Sequence, residues 1–489
     1  MESNKEFGTF GMSSEILVEV VGDEMRVILL DDGIPADLII ERETKKSLVG
    51  NIYKGRVETI NRGLGAAFID LGEQNAGFLP VDRNDYPIEG ESIWVQVRRD
   101  GYKSKGPQVS RSLSLAGCFT VFLPHGGKNS VSKKIEGDAE RTRILEILSS
   151  LVEGEEGVIA RTASEFELKD NFLREIRCLR EIWSEVRSIG EIAETPSLLH
   201  RESKPVVQAM RDYAGLKIDQ ITISPSALFS EVKSWCKIFA PELVKKLVRH
   251  QGAASLLHQR DLKGLFDEVS EQLVPLPSGG ALVIDQTEAL TVIDVNSRRF
   301  SSGQNPKDNA LKINIEAAVE ICRQIRLRNI GGMILIDFIG LDEEEMGLQE
   351  VSQVLEERLS QDRVSARLLG KTNAGLIEII RRRTRPPISE FLKEPCQVCH
   401  GSGSSIQAAS ATFGLIDEIK QTAENGQAGQ ILIHVSQNIS DHLDKLYQTG
   451  EKLASAIGVG RVLNWKVDNR LINAEYQISI TGETEWLVG

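Results

Sequence analysis

The sequence predicts a multidomain α/β protein that carries an inserted small β-barrel. Its length of 489 residues indicates about three domains or more, because an ordinary domain has roughly 150 residues. Between Val49 and Asp85, short strands alternate with glycine and asparagine, which is typical of a small barrel. From Ala281 to Ile339, apolar strands flank an amphipathic helix, and this order predicts a parallel pair of strands.

The elements follow one another in a simple order. Residues 16–40 contain three strands separated by Gly-Asp and Asp-Asp-Gly turns, and a further strand spans residues 92–100. Residues 113–203 mix strands with amphipathic helices, and strand and helix alternate up to residue 274. Two prolines at 386–387 precede a linker with the sequence CQVCHGSGS, and residues 410–489 form a last small α/β region.

Composition excludes some classes of protein. No apolar run approaches the roughly 20 residues that span a bilayer, and the N-terminal MESNKEFGTFGM lacks the pattern of a targeting signal, so we expect a cytoplasmic protein. The net charge of −13 argues at first sight against a nucleic-acid partner, although binding depends on local patches. Four basic clusters occur, and each by itself is expected to be a solvated face: Lys133–Lys134; Lys245–Lys246 with Arg249; Arg323, Arg326 and Arg328; and Arg381–Arg383 with Arg385.

Two aspartates lie at or near the ends of apolar strands. Asp294 ends LTVID, Asp337 lies within MILIDFI, and Asn296 lies two residues after Asp294, on the same face of its strand. A carboxylate in such a strand is expected to be desolvated, which is costly unless it is paired or metal-bound. Pairing with arginines or capping of loops remains the alternative for each aspartate alone. Together, two carboxylates and an amide predict a Mg²⁺ site, since Mg²⁺ prefers oxygen ligands.

The segments EALTVIDVNSRRF (288–300) and NIEAAVEICRQIRLRNIGGMILIDFIGL (314–341) resemble the catalytic signature of the ribonuclease E/G family, and the resemblance extends over nearly the whole chain. It implies that Asp294 and Asp337 hold Mg²⁺ and that Asn296 orients the site. It implies internal hydrolysis of single-stranded RNA, in rRNA precursor processing and mRNA decay, leaving 5′-phosphate and 3′-hydroxyl ends. Gly340 stands where the family has aspartate, and Asp342 is a candidate substitute.

The resemblance also assigns RNA contacts. The sequence NIYKGRVETINRGLGAAFIDLG resembles an S1-type barrel of the OB-fold class, in which Phe68, Phe78 and Lys105 would contact RNA. The pattern alone favours a core position for both phenylalanines. Arg161 and Thr162, with the positions Gly117 and Val121, match a pocket that senses a 5′-monophosphate; an Arg-Thr pair by itself is commonplace.

The motif Cys396-Gln-Val-Cys399-His400 has three interpretations. Haem attachment requires export, and a redox Cys-x-x-Cys lacks a thioredoxin-like unit around it. Two cysteines supply half of a tetrahedral Zn²⁺ shell, and a second chain is the simplest source of the other half. The family joins its subunits in this way, so the resemblance implies a homodimer with a shared zinc, and leaves higher oligomers open. The other four cysteines are expected to be reduced and apolar in character.

On this basis the predicted domains are those of the family. The boundaries are an N-terminal extension (1–14), a split RNase H-like subdomain (15–45 and 205–275), an S1 barrel (46–112), a 5′-sensor region (113–204), a DNase I-like catalytic subdomain (276–393), a zinc linker (394–404) and a small C-terminal domain (405–489). The chain ends soon after that domain, which favours the shorter, G type of the family. The alternatives are a non-catalytic S1-type RNA-binding regulator and a zinc-stapled scaffold.

Overall fold

The structure is a computed structural model that divides the chain into two compact units, Met1–Leu392 and Lys393–Gly489. It describes residues 13–82, 85–101, 105–214, 218–252, 254–297, 306–340, 345–399, 401–424, 431–460, 462–480 and 487–488. Most of the predicted N-terminal extension, together with Asp342 and His400, lies outside these residues. The fold is mixed α/β with a closed barrel, as the sequence predicts.

Three antiparallel strands begin the first unit: β1 (Ser14–Val21), β2 (Glu24–Asp31) and β3 (Ile34–Arg42). Their apolar residues are nearly continuous because both faces of the sheet are covered. Ile16 and Val18 pack into one core, while Leu17 and Ile28 pack into another on the opposite face.

A small barrel follows directly. Its strands are β4 (Ile52–Asn61), β5 (Ala66–Asp70), β6 (Gly77–Pro80), β7 (Ser92–Arg99) and β8 (Gln108–Ser110). The hydrogen-bonded order β4-β5-β6-β8-β7 is closed by pairing of β4 with β7. Inward residues such as Val57, Ile69 and Val95 fill its interior. The predicted barrel is therefore confirmed, and its closure leaves no free edge among these five strands.

The next region combines a four-stranded sheet with two helices. Its elements are β9 (Leu115–Ala116), β10 (Thr120–Leu123), β11 (Ser130–Val131), α1 (Asp138–Ser149), β12 (Gly157–Ala160) and α2 (Lys169–Ile192). The strand order is β11-β12-β10-β9. Phe172, Ile176 and Leu179 on one face of α2 pack into the same core as Phe122 of β10.

The chain then returns to the first sheet. The elements are β13 (Ser197–His200), α3 (Pro205–Asp212), β14 (Ile218–Ile223), α4 (Ser226–Phe239), a 3₁₀ turn (Pro241–Lys246), β15 (Leu247–Arg249), α5 (Leu256–Gln259) and α6 (Leu265–Ser270). Strand β13 pairs with β4, whereas β14 pairs in parallel with β1 and β15 with β14. Residues far apart in the sequence therefore complete one five-stranded sheet.

The last sheet of the first unit contains the predicted strand–helix–strand unit. Its elements are β16 (Leu273–Pro275), β17 (Ala281–Gln286), β18 (Leu290–Asn296), α7 (Pro306–Leu327), β19 (Gly332–Asp337), α8 (Glu345–Ser360), β20 (Ala366–Lys371), β21 (Ile377–Arg381) and α9 (Ser389–Leu392). The strand order is β16-β17-β18-β19-β21-β20, and β18 and β19 are parallel. Helices α7 and α8 cover one face, while Met333 and Ile380 are exposed on the other.

The second unit is a small α/β domain. Its elements are α10 (Ala408–Glu424), β22 (Ile431–Val435), α11 (Gln437–Leu446), α12 (Gly450–Ile457), β23 (Leu463–Val467), β24 (Tyr476–Ile480) and β25 (Leu487–Val488). Its four strands form one sheet with a core of its own. Across the described part of the chain, no helix combines the length and apolar character that crossing a bilayer requires.

Candidate active site

Asp294 and Asp337 lie side by side on neighbouring strands. They are direct register partners in the parallel pair β18–β19, at the carboxyl end of both strands. Parallel neighbours are about 4.8 Å apart, so the two side chains leave the same edge of the sheet on the same face. The predicted convergence of the two carboxylates is therefore present.

The expected desolvation of these aspartates was wrong. Both are exposed to solvent, because the inward positions of their strands belong to Ile293, Val295 and Ile336, which face the helices. The aspartates point to the open face of the sheet instead. An apolar strand does not reveal which of its faces the helices cover, and exposure removes the free-energy cost that a buried carboxylate would carry.

Asn296 belongs to the same group. Its Nδ2 donates a hydrogen bond of 2.7 Å to Oδ2 of Asp294, as its position two residues along the strand predicts. The donors present are carboxylate and amide oxygens on an exposed edge, which suit Mg²⁺ better than a softer metal. No group of three or more His, Cys, Asp or Glu that could hold a metal occurs in the described ranges, so water and substrate oxygens would complete the shell.

Asn314 supports this edge from behind, and the sequence analysis missed it. It is 1% exposed on α7 and holds the backbone of Ile339, donating to the carbonyl oxygen at 2.8 Å and accepting from the amide at 3.1 Å. Ile339 lies two residues after Asp337, so this clamp fixes the turn that follows the carboxylate. The signal was a polar residue aligned with the buried face of an amphipathic helix.

Gly340 follows the same turn. Its φ of 64° lies in the left-handed region, and a side chain there would meet open space. Glycine adopts this conformation freely, and aspartate and asparagine tolerate it better than most residues do. The backbone at Gly340 is therefore one that glycine adopts without strain.

Phe68 and Phe78 form a pair on the outside of the barrel. They are register partners in β5 and β6, both are half-buried, and their ring centroids are 5.9 Å apart with edges towards faces. Neither belongs to the closed core of the barrel. Lys105 is exposed two residues before Pro107, whose carbonyl oxygen accepts the amide of Phe78. The barrel therefore presents two partly accessible rings beside a loop that carries a cation.

The four residues of the predicted phosphate pocket lie on one small sheet or directly after its strands. Nη1 of Arg161 donates to the carbonyl oxygen of Gly117 at 2.7 Å, and Val121 on β10 is opposite Ile159 on β12. Thr162 is exposed, and its hydroxyl is 2.9 Å from that of Ser132. The structure thus brings Arg161 and Gly117 into contact and places Thr162 next to them.

A second group missed by the sequence analysis holds the loop of this pocket. The buried carboxylate of Glu175, on α2, accepts hydrogen bonds from the amides of residues 118–120 and from the hydroxyl of Thr120 at 2.6 Å. Burial raises the pKa of Glu175 in spite of these bonds. A Cβ at Gly117 would lie 2.3 Å from Cδ of Glu175, so this position requires glycine.

Arg161 also has an acidic partner. Its Nη2 lies 2.8 Å from Oδ1 of Asp212, and Arg363 approaches the other oxygen of Asp212 at 3.9 Å. Burial opposes ionisation of Asp212, but the charges of Arg161 and Arg363 outweigh it and hold the pKa of Asp212 below its usual value. A terminal phosphate would have to share Arg161 with this carboxylate.

The two cysteines of the Cys-x-x-Cys motif belong to the second unit. Cys396 is exposed, and its pKa is lowered because the amides of Cys399 and Val398, together with the Cys399 side chain, donate to the sulfur. The amide of Ser402 donates to the carbonyl oxygen of Cys399 at 2.8 Å and closes the turn. A loop whose amides favour a thiolate fits a Zn²⁺ ligand. Cys118, Cys236 and Cys322 are buried, as expected for apolar cysteines, and Cys178 is half-buried.

The expectation of solvated faces fails for two of the basic clusters. Arg381 is 1% exposed and pairs with Asp362 at 2.7 Å. Arg328 is also buried and donates to the carbonyl oxygen of Glu271 at 2.6 Å. These arginines link elements of the first unit, so their role is structural.

The chain is similar to proteins of one known family. A model of the ribonuclease E/G family matches residues 114–384. Ribonuclease G of Salmonella typhimurium is 31% identical over 453 residues, which cover 88% of this chain and 92% of the relative. Ribonuclease E of Haemophilus influenzae is 32% identical over 441 residues, which cover 86% of this chain and 47% of the relative.

Fold, site and matches define an enzyme of the ribonuclease class. The chain belongs to the ribonuclease E/G family. The prediction of family and enzyme class is thereby confirmed.

Proposed function

We propose that this protein is a Mg²⁺-dependent endoribonuclease that cleaves single-stranded RNA and leaves 5′-phosphate and 3′-hydroxyl ends. The observation that carries the proposal is the register pairing of Asp294 with Asp337, with Asn296 bonded to Asp294. Mg²⁺ bound by the two carboxylates would supply an activated water and neutralise charge on the scissile phosphate. Precursors of rRNA and mRNA are the proposed substrates, and the cytoplasm the proposed location.

The residues of the chain have separate tasks in this proposal. Asn296 holds Oδ2 of Asp294 in place, and Asn314 fixes the turn after Asp337. Phe68 and Phe78 offer ring faces and edges to bases, as S1-type barrels do, and base stacking contributes roughly 1–3 kcal/mol per base. Lys105 adds a cation for the backbone.

The pocket around Arg161 is proposed to bind the 5′-monophosphate of the substrate. Its guanidinium and the Thr162 hydroxyl are the donors that a phosphate needs, and Glu175 and Gly117 hold the loop opposite them. We also propose that Cys396 and Cys399 share one Zn²⁺ with the same residues of a second chain. The RNase H-like and DNase I-like subdomains and their boundaries remain predictions.

Incubation of the purified protein with an unstructured RNA labelled at one end tests the activity. Internal cleavage with Mg²⁺ and none with a chelator is expected, and the downstream product should be a substrate for ligation through its 5′-phosphate. RNA that binds but stays intact with Mg²⁺ would contradict the proposal and favour a non-catalytic RNA-binding regulator.

A further inference from the structure

A basic cavity lies near the six-stranded sheet that carries Asp294 and Asp337, at the end remote from these two residues. It has a volume of about 280 Å³ and lies between the start of the barrel, α3 and the segment that follows β21. Its charged lining consists of four arginines and two carboxylates: Arg211, Arg363, Arg382, Arg385, Glu202 and Asp212. Arg381, which precedes this segment, is opposite Gly332 at the beginning of β19. The cavity and the carboxylate pair therefore lie at opposite ends of β19.

The two carboxylates of the cavity already have partners. Glu202 accepts from Arg211 at 2.9 Å, and Asp212 is held by Arg161 at 2.8 Å. Arg363 pairs with Asp37 at 2.7 Å. Both carboxylates that line the cavity are thus paired with other arginines, and Arg363 has a carboxylate partner outside it.

Arg382 and Arg385 have no such partner. Among the residues the structure describes, neither guanidinium forms an ion pair with a carboxylate, and Arg385 donates to the neutral Oε1 of Gln208. Burial lowers the pKa of Arg385 and the charge of Arg363 lowers it further, although the more distant carboxylates of Asp212, Glu41 and Asp100 act in the opposite direction. Because no carboxylate pairs directly with the half-buried Arg385, an anion bound in the cavity would stabilise its charge.

Two further polar atoms at the cavity lack partners in the described part of the chain. They are Oγ1 of Thr384 and Nε of Arg211, both buried. Buried polar atoms of this kind are rare unless a ligand or water bonds to them. Arg98 extends the positive region, since burial and the nearby charge of Arg382 both lower its pKa.

We propose that this cavity is a phosphate-binding site formed by Arg382, Arg385 and Thr384. Two guanidinium groups and a hydroxyl are donors that match phosphate oxygens, and Arg382 is exposed at the entrance. Arg161 and Thr162 do not line the cavity, but Arg161 bonds to two residues that do, Arg211 and Asp212. The cavity therefore adjoins the pocket proposed for the 5′ end and differs from it in its donors. The phosphate is a phosphodiester of bound RNA or a free phosphate, and the RNA source rests on the proposed function.

The first measurement uses inorganic phosphate and the full chain. Phosphate should raise the midpoint of thermal unfolding relative to chloride at matched ionic strength, because a ligand of the folded state stabilises it. Arg382→Gln with Arg385→Gln should remove most of this increase. Arg383→Gln is the matched control: Arg383 lies between the two in sequence, and its Nε donates to Gly331 outside the cavity. The phosphate-dependent increase is compared, so a lower starting midpoint in a variant does not obscure the result.

The second measurement identifies the source of the phosphate. Binding of a 5′-hydroxyl RNA is followed without Mg²⁺ over a series of salt concentrations. If the RNA backbone occupies the cavity, the double variant should bind about tenfold more weakly and its salt slope should fall by about one per lost contact. Unchanged RNA affinity with a lost phosphate effect would indicate a free phosphate.

Two results would overturn the inference. One is an equal phosphate effect in wild type and double variant, and the other is an equal loss of that effect in the Arg383→Gln control. Failure of the wild type to bind RNA would defeat the proposed function, while the phosphate measurement would still decide whether the cavity binds an anion.

Discussion

The two ends of the six-stranded sheet that carries Asp294 and Asp337 differ in charge and in how the charge is arranged. At the carboxyl end of β18 and β19, two aspartates are exposed and adjacent, and Asn296, which bonds to Asp294, comes from the same strand as that aspartate. At the other end, arginines from separate segments surround a cavity, and two of them form no ion pair with any carboxylate in the described part of the chain. The acidic end suits a cation and the basic end an anion.

This difference shows what a substrate of repeated phosphates would require. A metal site must hold acidic oxygens close together, so short-range pairing along adjacent strands is enough. A chain of phosphates extends over many ångströms, so its contacts must be distributed over the surface. The largest effects of mutation are therefore expected at the acidic end, and more selective effects at the basic end.

Removal of one carboxylate at the acidic end should have the largest effect on the cleavage rate. Asp294→Asn or Asp337→Asn is expected to lower the cleavage rate by about a thousandfold or more, since each removes a charged ligand of Mg²⁺, while RNA affinity stays within about twofold. Asp285→Asn is the control, because Asp285 is exposed on the same sheet and bonded to Gln272. Single-turnover rates and RNA binding measure the two effects. A rate within tenfold of wild type in either variant would refute the assignment.

Loss of the proposed zinc ligands tests whether the 5′ pocket and the carboxylate pair that act on one RNA belong to the same chain or to two chains. The wild type should contain about half a zinc per chain, because structural Zn²⁺ takes four ligands and a two-fold dimer offers two from each subunit. Cys396→Ser with Cys399→Ser should abolish the dimer and slow cleavage of long RNA by about tenfold, with a smaller effect on short RNA. Metal analysis and light scattering provide the readout. A monomeric wild type with one zinc per chain would exclude the shared site.

The pocket around Arg161 should affect substrates selectively. Arg161→Ala is expected to slow cleavage of 5′-monophosphorylated RNA by about tenfold and of 5′-hydroxyl RNA much less, because only the first offers a terminal phosphate. Arg174→Ala is a suitable control, since Arg174 lies on α2 with Glu242 as a distant partner at 4.0 Å. Equal slowing of both substrates would show that Arg161 acts by supporting the fold through Asp212.

The smallest effect on activity is expected from Asn314, which supports the turn after Asp337. Asn314→Ala removes both hydrogen bonds to Ile339 and leaves a half-buried backbone amide and carbonyl unpaired, at a cost of about 1–3 kcal/mol. We expect kcat to fall a few-fold with KM unchanged, because the turn after Asp337 loosens while RNA contacts remain. Asn314→Asp keeps the acceptor for the amide and should recover part of the loss. A lower midpoint of unfolding with unchanged kcat would indicate a purely structural role.

The sequence predicted the acidic end better than the basic end for a physical reason. The positions of Asp294, Asn296 and Asp337 follow from strand periodicity and one parallel crossover, which are local patterns. Their exposure did not follow, because an apolar strand gives no indication of which face the helices cover. The barrel could be predicted equally well from the sequence, since its glycine-rich turns and short strands are contiguous in the chain.

The supporting residues could not be recognised in this way. Glu175 and Asn314 lie on amphipathic helices, where one polar residue on the buried face looks like an ordinary variation. Their partners, at residues 118–120 and 339, are distant in sequence, so only the folded chain brings them together. The cavity at Arg385 could not be predicted for the same reason, because its lining comes from four separate stretches of the chain that only folding brings together.

The pairing of β1 with β14 has a consequence for biosynthesis. Ser14 is opposite Ile218, about 200 residues later, so the first sheet stays incomplete until most of the first unit has left the ribosome. The barrel needs only residues 52–110 to close, and its contacts are local by comparison. Local contacts form faster than distant ones, so the barrel and the small sheet after it are expected to fold while β1 still lacks its neighbour. The N-terminal strands, synthesised first, would then be among the last to reach their final environment.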